Sequence, residues 1–328
     1  MKIMDYDDLM PLVSVSSYLT VFNEFLNHWD NVNKSLPEPL VTMEGGLAVG
    51  QELQAELEKR LADVHQARWN FNWERLGVLY GRAVLRRELE QFNLMVRGYW
   101  EGTPWEELLT PLPEVDVSLE RFLKPCRRAV MLWEELEGQP LPAGAPSPLK
   151  VGGTVTRAEF AAKVEALRLA GLAVEAADFA LALARSRRNV VMKKVRAMLM
   201  SYTKALPGRV KAGSSLLDAM PRLWPLPGHT PDAVEASGEW LAVPGLARLT
   251  WTASAEAELD FYHVRSCVGE DYKKEDEHVV TKIPADGERQ WESSEGFTQP
   301  GAAMSYRIYV VLKTGNEKGS KTVTVTRG

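Results

Sequence analysis

The sequence has only two cysteines and five histidines among its 328 residues. Two cysteines are too few for a disulfide-stapled scaffold or for a four-cysteine zinc site. No apolar run approaches the roughly 18 residues that a membrane-spanning helix needs. Acidic residues outnumber basic ones, 44 to 39, which argues against a broadly basic nucleic-acid binder. We therefore expect no metal, no other cofactor, no membrane span and no nucleic-acid partner.

The motifs of common active sites are also missing. The sequence contains no GxxxxGK[ST] phosphate loop, no GxSxG, no HExxH and no paired ExxH ligands. The glycines within residues 46–50 lack the phosphate-loop lysine and predict only a loop and a helix start. His263 and His278 could approach each other across strands, and we interpret them as a surface pair rather than a metal site. The sequence therefore favours a protein that is not an enzyme.

The first residues do not resemble a secretory signal. Asp5, Asp7 and Asp8 interrupt the apolar run that such a signal requires. We therefore expect a cytoplasmic protein in which Cys126 and Cys267 stay reduced and unpaired. Export without a signal stays open as an alternative.

Apolar residues recur every seven positions through the first two-thirds of the chain, which is typical of packed amphipathic helices. The pattern predicts a short helix over residues 14–36 and a long one over residues 50–100. A break in the long helix at residues 69–72 is an alternative, because two asparagines lie there. The same short and long lanes return about 104 residues later, so Trp29 matches Trp133.

This repetition predicts an internal duplication. The first helical hairpin would occupy residues 1–113 and the second residues 114–224. Because neither hairpin can bury its apolar stripes alone, the two would form one elongated antiparallel bundle of two short and two long helices, a coiled-coil-like packing. Whether the second long helix continues through residues 172–175 is open in the same way as the first.

Four arginines lie in the inner lanes of the predicted long helices: Arg68, Arg75, Arg82 and Arg185. They could form a buried polar layer that binds an anion or fixes the register. Alternatively, they lie at the bundle margin with their stems packed and their charged groups in water, which we favour. The basic stretch at residues 185–196 is likewise interpreted as a solvated helix, and Arg188 is an imperfect lane position.

The last hundred residues change in character. Prolines mark a linker at residues 225–231, and short alternating runs then predict a β-sandwich over residues 232–328. The runs that predict strands are residues 247–251, 261–265, 278–283, 306–312 and 321–326.

Particular residues of these runs resemble a fibronectin type III domain. Leu249-Thr250-Trp251 is similar to its second strand and Tyr262-His263-Val264 to its third. Pro300-Gly301 followed by Tyr306-Arg307-Ile308 resembles the turn and tyrosine of the sixth strand, and Val323 with Val325 resembles the last. A helical repeat followed by such a module is also similar to bacterial proteins of unassigned role. The resemblance implies a fold and assigns no activity.

Two functional hypotheses follow from this architecture. The first is a non-enzymatic structural or protein–protein interaction protein that binds another protein or assembles with itself. The alternative is a glycan-binding or small-molecule-binding module with an aromatic site near the junction of bundle and sandwich, at Trp224, Trp240 and Trp291. A third hypothesis, an enzyme that uses scattered carboxylates, has no supporting sequence feature.

Overall fold

A computed structural model describes residues 15–221 and 228–328 of the chain. Its helices are α1 (Val15–Ser35), α2 (Leu47–Tyr99), α3 (Pro104–Glu107), α4 (Leu119–Glu137), α5 (Arg157–Ala205) and α6 (Ser215–Asp218). Its strands are β1 (Ala236–Leu241), β2 (Leu246–Trp251), β3 (Leu259–Val268), β4 (His278–Pro284), β5 (Gln290–Ser293), β6 (Ala303–Leu312), β7 (Glu317–Gly319) and β8 (Val323–Thr326). The predicted order, helices first and antiparallel sheets after them, is confirmed.

Both long helices are uninterrupted. Helix α2 runs through residues 69–72 over its 53 residues, and α5 runs through residues 172–175 over its 49. The break considered at residues 69–72 does not occur. Neither helix contains proline, and the weak helix propensity of asparagine costs less than about 1 kcal/mol per residue, which packing readily offsets.

The chain forms two compact units that do not follow the order of the sequence. Unit 1 contains residues 1–69 and 180–328, and unit 2 contains residues 70–179. The boundaries fall inside α2 and α5, so each unit contains a part of both long helices. These boundaries differ from those predicted at residues 113, 224 and 231. The two helical hairpins, over residues 1–113 and 114–224, stay a prediction that rests on the repeat in the sequence.

The helical core of unit 1 lies where α1 packs between the two long-helix segments. Trp29 of α1 stacks on Tyr202 of α5 with ring centroids 4.6 Å apart, and its indole N–H donates to the Leu40 carbonyl at 3.0 Å. Gly50 of α2 allows a close approach here, because a Cβ at this position would lie 2.6 Å from a methyl of Leu26. The buried side chains are Tyr18, Phe22, Phe25, Leu26, Trp29, Val32, Leu57, Val191, Met192, Val195, Met198, Leu199 and Tyr202.

Unit 2 has its own apolar core around α4. Trp133 of α4 stacks on Phe92 of α2 at 5.1 Å and lies 6.2 Å from the ring of Phe160 on α5. Gly171 of α5 leaves room for Leu119, whose methyl would otherwise meet a Cβ at 2.2 Å. The other buried side chains include Leu85, Leu89, Val96, Phe122, Cys126, Ala129, Leu136, Val164 and Leu167.

Corresponding positions of the proposed repeat are buried in both units. Helices α1 and α4 share these pairs: Tyr18 and Phe122, Phe22 and Cys126, Phe25 and Ala129, Trp29 and Trp133, Val32 and Leu136. A short backbone bridge also precedes each long helix, at Thr42 and Gly45 before α2 and at Val151 and Val155 before α5. The duplication itself stays a prediction.

The sandwich of unit 1 consists of two antiparallel sheets. One has the order β1-β2-β5, and the other has the order β4-β3-β6-β7 with β8 also paired to β6. Their inner faces share one core that includes Leu249, Tyr262, Val264, Tyr306 and Ile308. The segments compared with the second, third, sixth and last strands of a fibronectin type III domain are β2, β3, β6 and β8. The C-terminal part of the chain therefore has a fibronectin type III-like fold.

Removing a core side chain of α2 should destabilise the protein far more than removing an exposed one. Leu57 is fully buried, whereas Leu94 on the same helix is exposed. We expect Leu57→Ala to lower the free energy of unfolding by about 2 to 5 kcal/mol and Leu94→Ala by less than about 1 kcal/mol. Urea denaturation followed by circular dichroism measures both, and equal effects would contradict the packing of α2 described here.

Candidate functional site

The candidate site is the contact between helices and sandwich inside unit 1. Helix α1 packs against β4 and against the 3-10 helix Lys274–Asp276, which lies between β3 and β4. Trp69 of α2 packs against the sandwich core. Sequence reasoning did not single out Trp69 for this contact, because its position on α2 says nothing about a segment 200 residues away.

Two arginines from different helices bind one buried aspartate of the sandwich. Arg68 of α2 approaches the Asp276 carboxylate at 3.5 Å and donates to the carbonyls of Val268 at 3.4 Å and Asp271 at 3.2 Å. Arg185 of α5 binds Asp276 through two nitrogens, its Nε donating at 2.8 Å, and lies 3.3 Å from Glu275. The side chain of Asp276 is almost completely buried, so these two guanidinium groups compensate for the loss of its hydration.

A third arginine closes the same contact. Arg188 of α5 is 1% exposed, and it donates to the backbone carbonyl of Glu275 and to the side chain of Asn189. The contact with the sandwich therefore explains why an arginine occupies this position of the apolar lane. The prediction that residues 185–196 form a solvated helix is wrong for Arg185 and Arg188, because their binding partners come from the sandwich.

The placement of the four lane arginines is corrected in part. Arg68 is 4% exposed, so the prediction of charged groups in water is wrong for it. Arg82, in unit 2, is half-buried and donates to the Val117 carbonyl at 2.8 Å. Arg75 is exposed. The buried arginines fix the attachment of another part of the chain, a role that neither of the two sequence interpretations included.

Two histidines meet beside these arginines. The ring of His278 at the start of β4 packs edge-to-face against His65 of α2, with centroids 4.8 Å apart. Burial, and then the neighbouring His65, lowers the pKa of His278 to about 4. A cavity of about 360 Å³ adjoins the pair. Its lining is Leu19, Thr20, Leu61, Val64, His65, Arg188, Glu275, Asp276, Glu277, His278 and Val279.

The predicted surface pair of His263 and His278 is wrong. Across the β3–β4 ladder His263 faces Lys282, and His278 faces Ser266. His263 is buried, and burial, followed by the charges of Arg265 and Lys282, lowers its pKa to about 3. Within the described residues, no group of three or more histidine, cysteine, aspartate or glutamate side chains is placed to hold a metal ion.

A buried polar cluster holds the acidic segment against its sheet. Arg265 of β3 is completely buried, lies over the Tyr309 ring at 3.8 Å and binds Glu277 at 3.1 Å. Glu277 also accepts hydrogen bonds from Tyr272 at 2.5 Å and Tyr309 at 3.1 Å. Because the residue next to Asp276 is fixed in this way, the arginines of α2 and α5 meet a rigid acceptor.

The predicted aromatic binding residues lie elsewhere. Trp240 is half-buried against Phe297 at 5.0 Å, and Trp291 is half-buried against Tyr306 at 5.9 Å. Both pack on the sandwich core, and neither lines the cavity beside His65. Trp224 lies outside the described residues. A binding surface at these tryptophans stays a proposal.

A second candidate surface lies on unit 2. Leu169, Leu172 and Phe179 of α5 are exposed, and Phe179 is 72% exposed. Together with Ala176 they have the spacing of three and four residues that places side chains on one face of a helix. Trp73 and Tyr80 of α2 are exposed in the same unit. Residues 70–84 and 168–180 contain no buried position, and the heptad analysis missed this because it followed only the inner lanes.

Cys126 and Cys267 are both buried. Burial raises the pKa of their thiols to about 11 and about 12, respectively. Since the thiolate is the reactive form, both are structural residues.

No family model matches the chain. A stretch of 64 residues is 33% identical to the glutamate–tRNA ligase of Prochlorococcus marinus subsp. pastoris, and it covers 20% of this chain and 13% of the ligase. The chain thus matches only a small part of that relative, and this likeness shows no common family.

Solved structures resemble about three-tenths of the chain. A pectate lyase from Erwinia chrysanthemi, solved in complex with tetragalacturonic acid, is 16% identical with a TM-score of 0.24, covering 28% of each chain. A Fn3-like protein from Clostridium thermocellum is 15% identical with a TM-score of 0.25, over 30% of this chain and 96% of that one. The fn3 domain of human contactin 1 is 16% identical with a TM-score of 0.25, over 31% and 78%. Such likenesses concern the fold alone.

None of the described helices is both long and apolar enough to cross a membrane.

Neutralising Asp276 should destabilise unit 1 strongly, because its carboxylate is the charged partner of the buried Arg68 and one of two carboxylates that bind the partly buried Arg185. We expect Asp276→Asn to lower the free energy of unfolding by about 3 to 5 kcal/mol. Asp30→Asn is the matched control, since Asp30 forms an exposed pair with Lys34, and it should cost less than about 1 kcal/mol. Urea denaturation compares the two variants, and similar losses would show that Asp276 is not the centre of the contact.

Truncating either core tryptophan of the sandwich should lower stability. We expect Trp240→Ala and Trp291→Ala to cost about 1 to 3 kcal/mol each, because both rings pack on the core while half-buried. Trp73→Ala, at an exposed tryptophan of α2, should cost less than about 1 kcal/mol. Thermal unfolding measures all three. Unchanged midpoints for the two sandwich variants would show that the rings of Trp240 and Trp291 do not stabilise the core, and would favour a role in ligand binding.

Proposed function

We propose that the protein is a non-enzymatic structural protein that acts by protein–protein contact, and that a second copy of the same chain is its partner. The observation that carries the proposal is the apolar face of α5 in unit 2, formed by Leu169, Leu172, Ala176 and Phe179. Large exposed apolar side chains occur singly on most proteins, but a regular stripe of them on one helix face is typical of an interface.

The spacing of the stripe fits a helix as partner. Residues at intervals of three and four supply the knobs of a coiled coil, and the small Ala176 provides room beside the larger side chains. Burying one large apolar side chain contributes about 1.5 to 3 kcal/mol. Three such residues on each copy therefore give a contact whose strength depends on protein concentration, as expected of an assembling subunit.

Other features of the molecule agree with a structural role. Equivalent buried positions in α1 and α4 support an internal duplication, which is a common route to repetitive scaffolds. The sandwich is a fibronectin type III-like module, and it is attached to the helices through buried charges. A rigidly attached module of this kind presents loops and sheet edges that can dock a partner.

The alternative function, glycan or small-molecule binding, has weaker support. Its predicted residues Trp240 and Trp291 pack in the sandwich core. The cavity beside His65 and His278 has the volume of a small ligand, but tryptophan is absent from its lining. The alternative therefore rests on volume alone.

Light scattering behind a sizing column tests the proposal over a wide concentration range. The mass of the wild-type chain should rise above 36.7 kDa with concentration, because an apolar interface obeys mass action. Phe179→Glu should abolish the rise by placing a charge in the interface. Met131→Glu is the control, since Met131 is an exposed apolar residue on α4, outside the stripe.

A constant mass of the wild-type chain would refute self-association. An equal loss in both variants would show that the contact does not lie on the stripe of α5.

A further inference from the structure

We propose that acid weakens the attachment of the sandwich to the helices of unit 1, and that His278, where its ring meets His65, is the group that takes up the proton. This inference concerns a different surface from the proposed function and does not depend on it. It rests on the position of the two rings, one on each side of the contact.

The rings of His65 and His278 meet where the helices contact the sandwich. His65 belongs to α2 and His278 to β4, and their rings are in edge-to-face contact at 4.8 Å. The hydroxyl oxygen of Ser266 on β3 lies 3.2 Å from Nε2 of His278. Two imidazolium groups at this distance would repel each other, and moving the helices away from the sheet relieves that repulsion.

The charged groups around the pair do not compensate for added positive charge. Helix α5 contributes Arg185 and Arg188, and α2 contributes Arg68, so three guanidinium groups already face this contact. The nearby carboxylates are bound: Asp276 by Arg68 and Arg185, Glu275 by Arg185, and Glu277 by Arg265.

The remaining titratable groups belong to the elements packed on either side. Helix α1 contributes two uncharged residues, Leu19 and Thr20, to the lining of the cavity. Glu24 lies further along the same helix. Burial raises the pKa of Glu24, and the charge of Lys282 on β4 partly offsets this rise. Strand β3 contributes the buried His263, Arg265 and Cys267. None of these supplies a free negative charge to an imidazolium at residue 278.

The direction of the pH effect follows from proton linkage. The pKa of His278 falls from 6.5 to about 4 in the attached state. A detached His278 therefore binds more protons than an attached one between about pH 6.5 and pH 4. Attachment is at full strength above this window and weakens as the pH falls through it. At pH 5.5 the equilibrium should shift towards the detached state by about tenfold.

Hydrogen exchange of the full-length chain at pH 7.5, 6.5 and 5.5 tests the inference, with rates corrected for intrinsic exchange. Protection in residues 61–69 and 274–279 should fall about tenfold between pH 7.5 and pH 5.5. Protection in α4 of unit 2, a unit that contains no histidine, should not fall with it. Ordinary carboxylates titrate near pH 4, so this window isolates histidine.

Matched variants identify the groups. His278→Gln should remove most of the pH dependence, and His65→Gln should reduce it. His229→Gln should leave it unchanged, because His229 is an exposed sandwich residue that binds Glu256 at 2.7 Å. If the variants at 65 and 278 kept the wild-type dependence, the assignment would be overturned.

A second measurement does not depend on how well the variants fold. Titration of the histidine rings in the wild-type chain by NMR should place the pKa of His278 well below 6.5. A value near 6.5, or an equal loss of protection in α4 of unit 2, would overturn the inference.

Discussion

Unit 1 depends on the burial of Asp276 between two arginines. A buried carboxylate without a partner would cost several kcal/mol, so Asp276 can be inside the protein only where both guanidinium groups reach it. Arg68 and Arg185 reach it from α2 and α5, which fixes the two helices relative to the sandwich. The cluster around Arg265 and Glu277 holds the receiving segment in place. The charged contacts fix the position of the sandwich on the helices. The apolar contacts of Trp69 and α1 stabilise this arrangement by burying apolar surface.

Periodicity was sufficient to predict the four longer helices, α1, α2, α4 and α5, but not the one-turn helices α3 and α6. The seven-residue lanes are long, uninterrupted by proline, and rich in aromatic side chains such as Trp29 and Phe92, so local sequence and tertiary packing agree. The strands β2, β3, β4, β6 and β8 were predictable for the same reason, since each alternates clearly. Strands β1, β5 and β7 were missed. They contain Gly238, Glu292 and Lys318, residue types that are rare in strands, and they are strands because neighbouring strands pair with them.

The site was largely beyond prediction from sequence. Nothing local distinguishes Arg68, which is buried, from Arg75, which is exposed one heptad later on the same helix. The difference comes from a partner about 200 residues away. The same holds for Arg188, which looks like a defect in an apolar lane until residue 275 is placed beside it. The predicted pairing of His263 with His278 failed likewise, because the ring of His278 packs on His65 of α2 and not on His263.

The division of the chain into units has a consequence for its synthesis on the ribosome. Unit 2 is one continuous segment, so it can fold as soon as residue 179 has emerged. Residues 1–69 belong to unit 1, but their partners on α5 and in the sandwich begin at residue 180. At about 5 to 20 residues per second, the intervening 110 or so residues take roughly 6 to 22 s to translate. During that interval the apolar face of α1 lacks its partners on α5, which makes this chain a natural client for a nascent-chain chaperone.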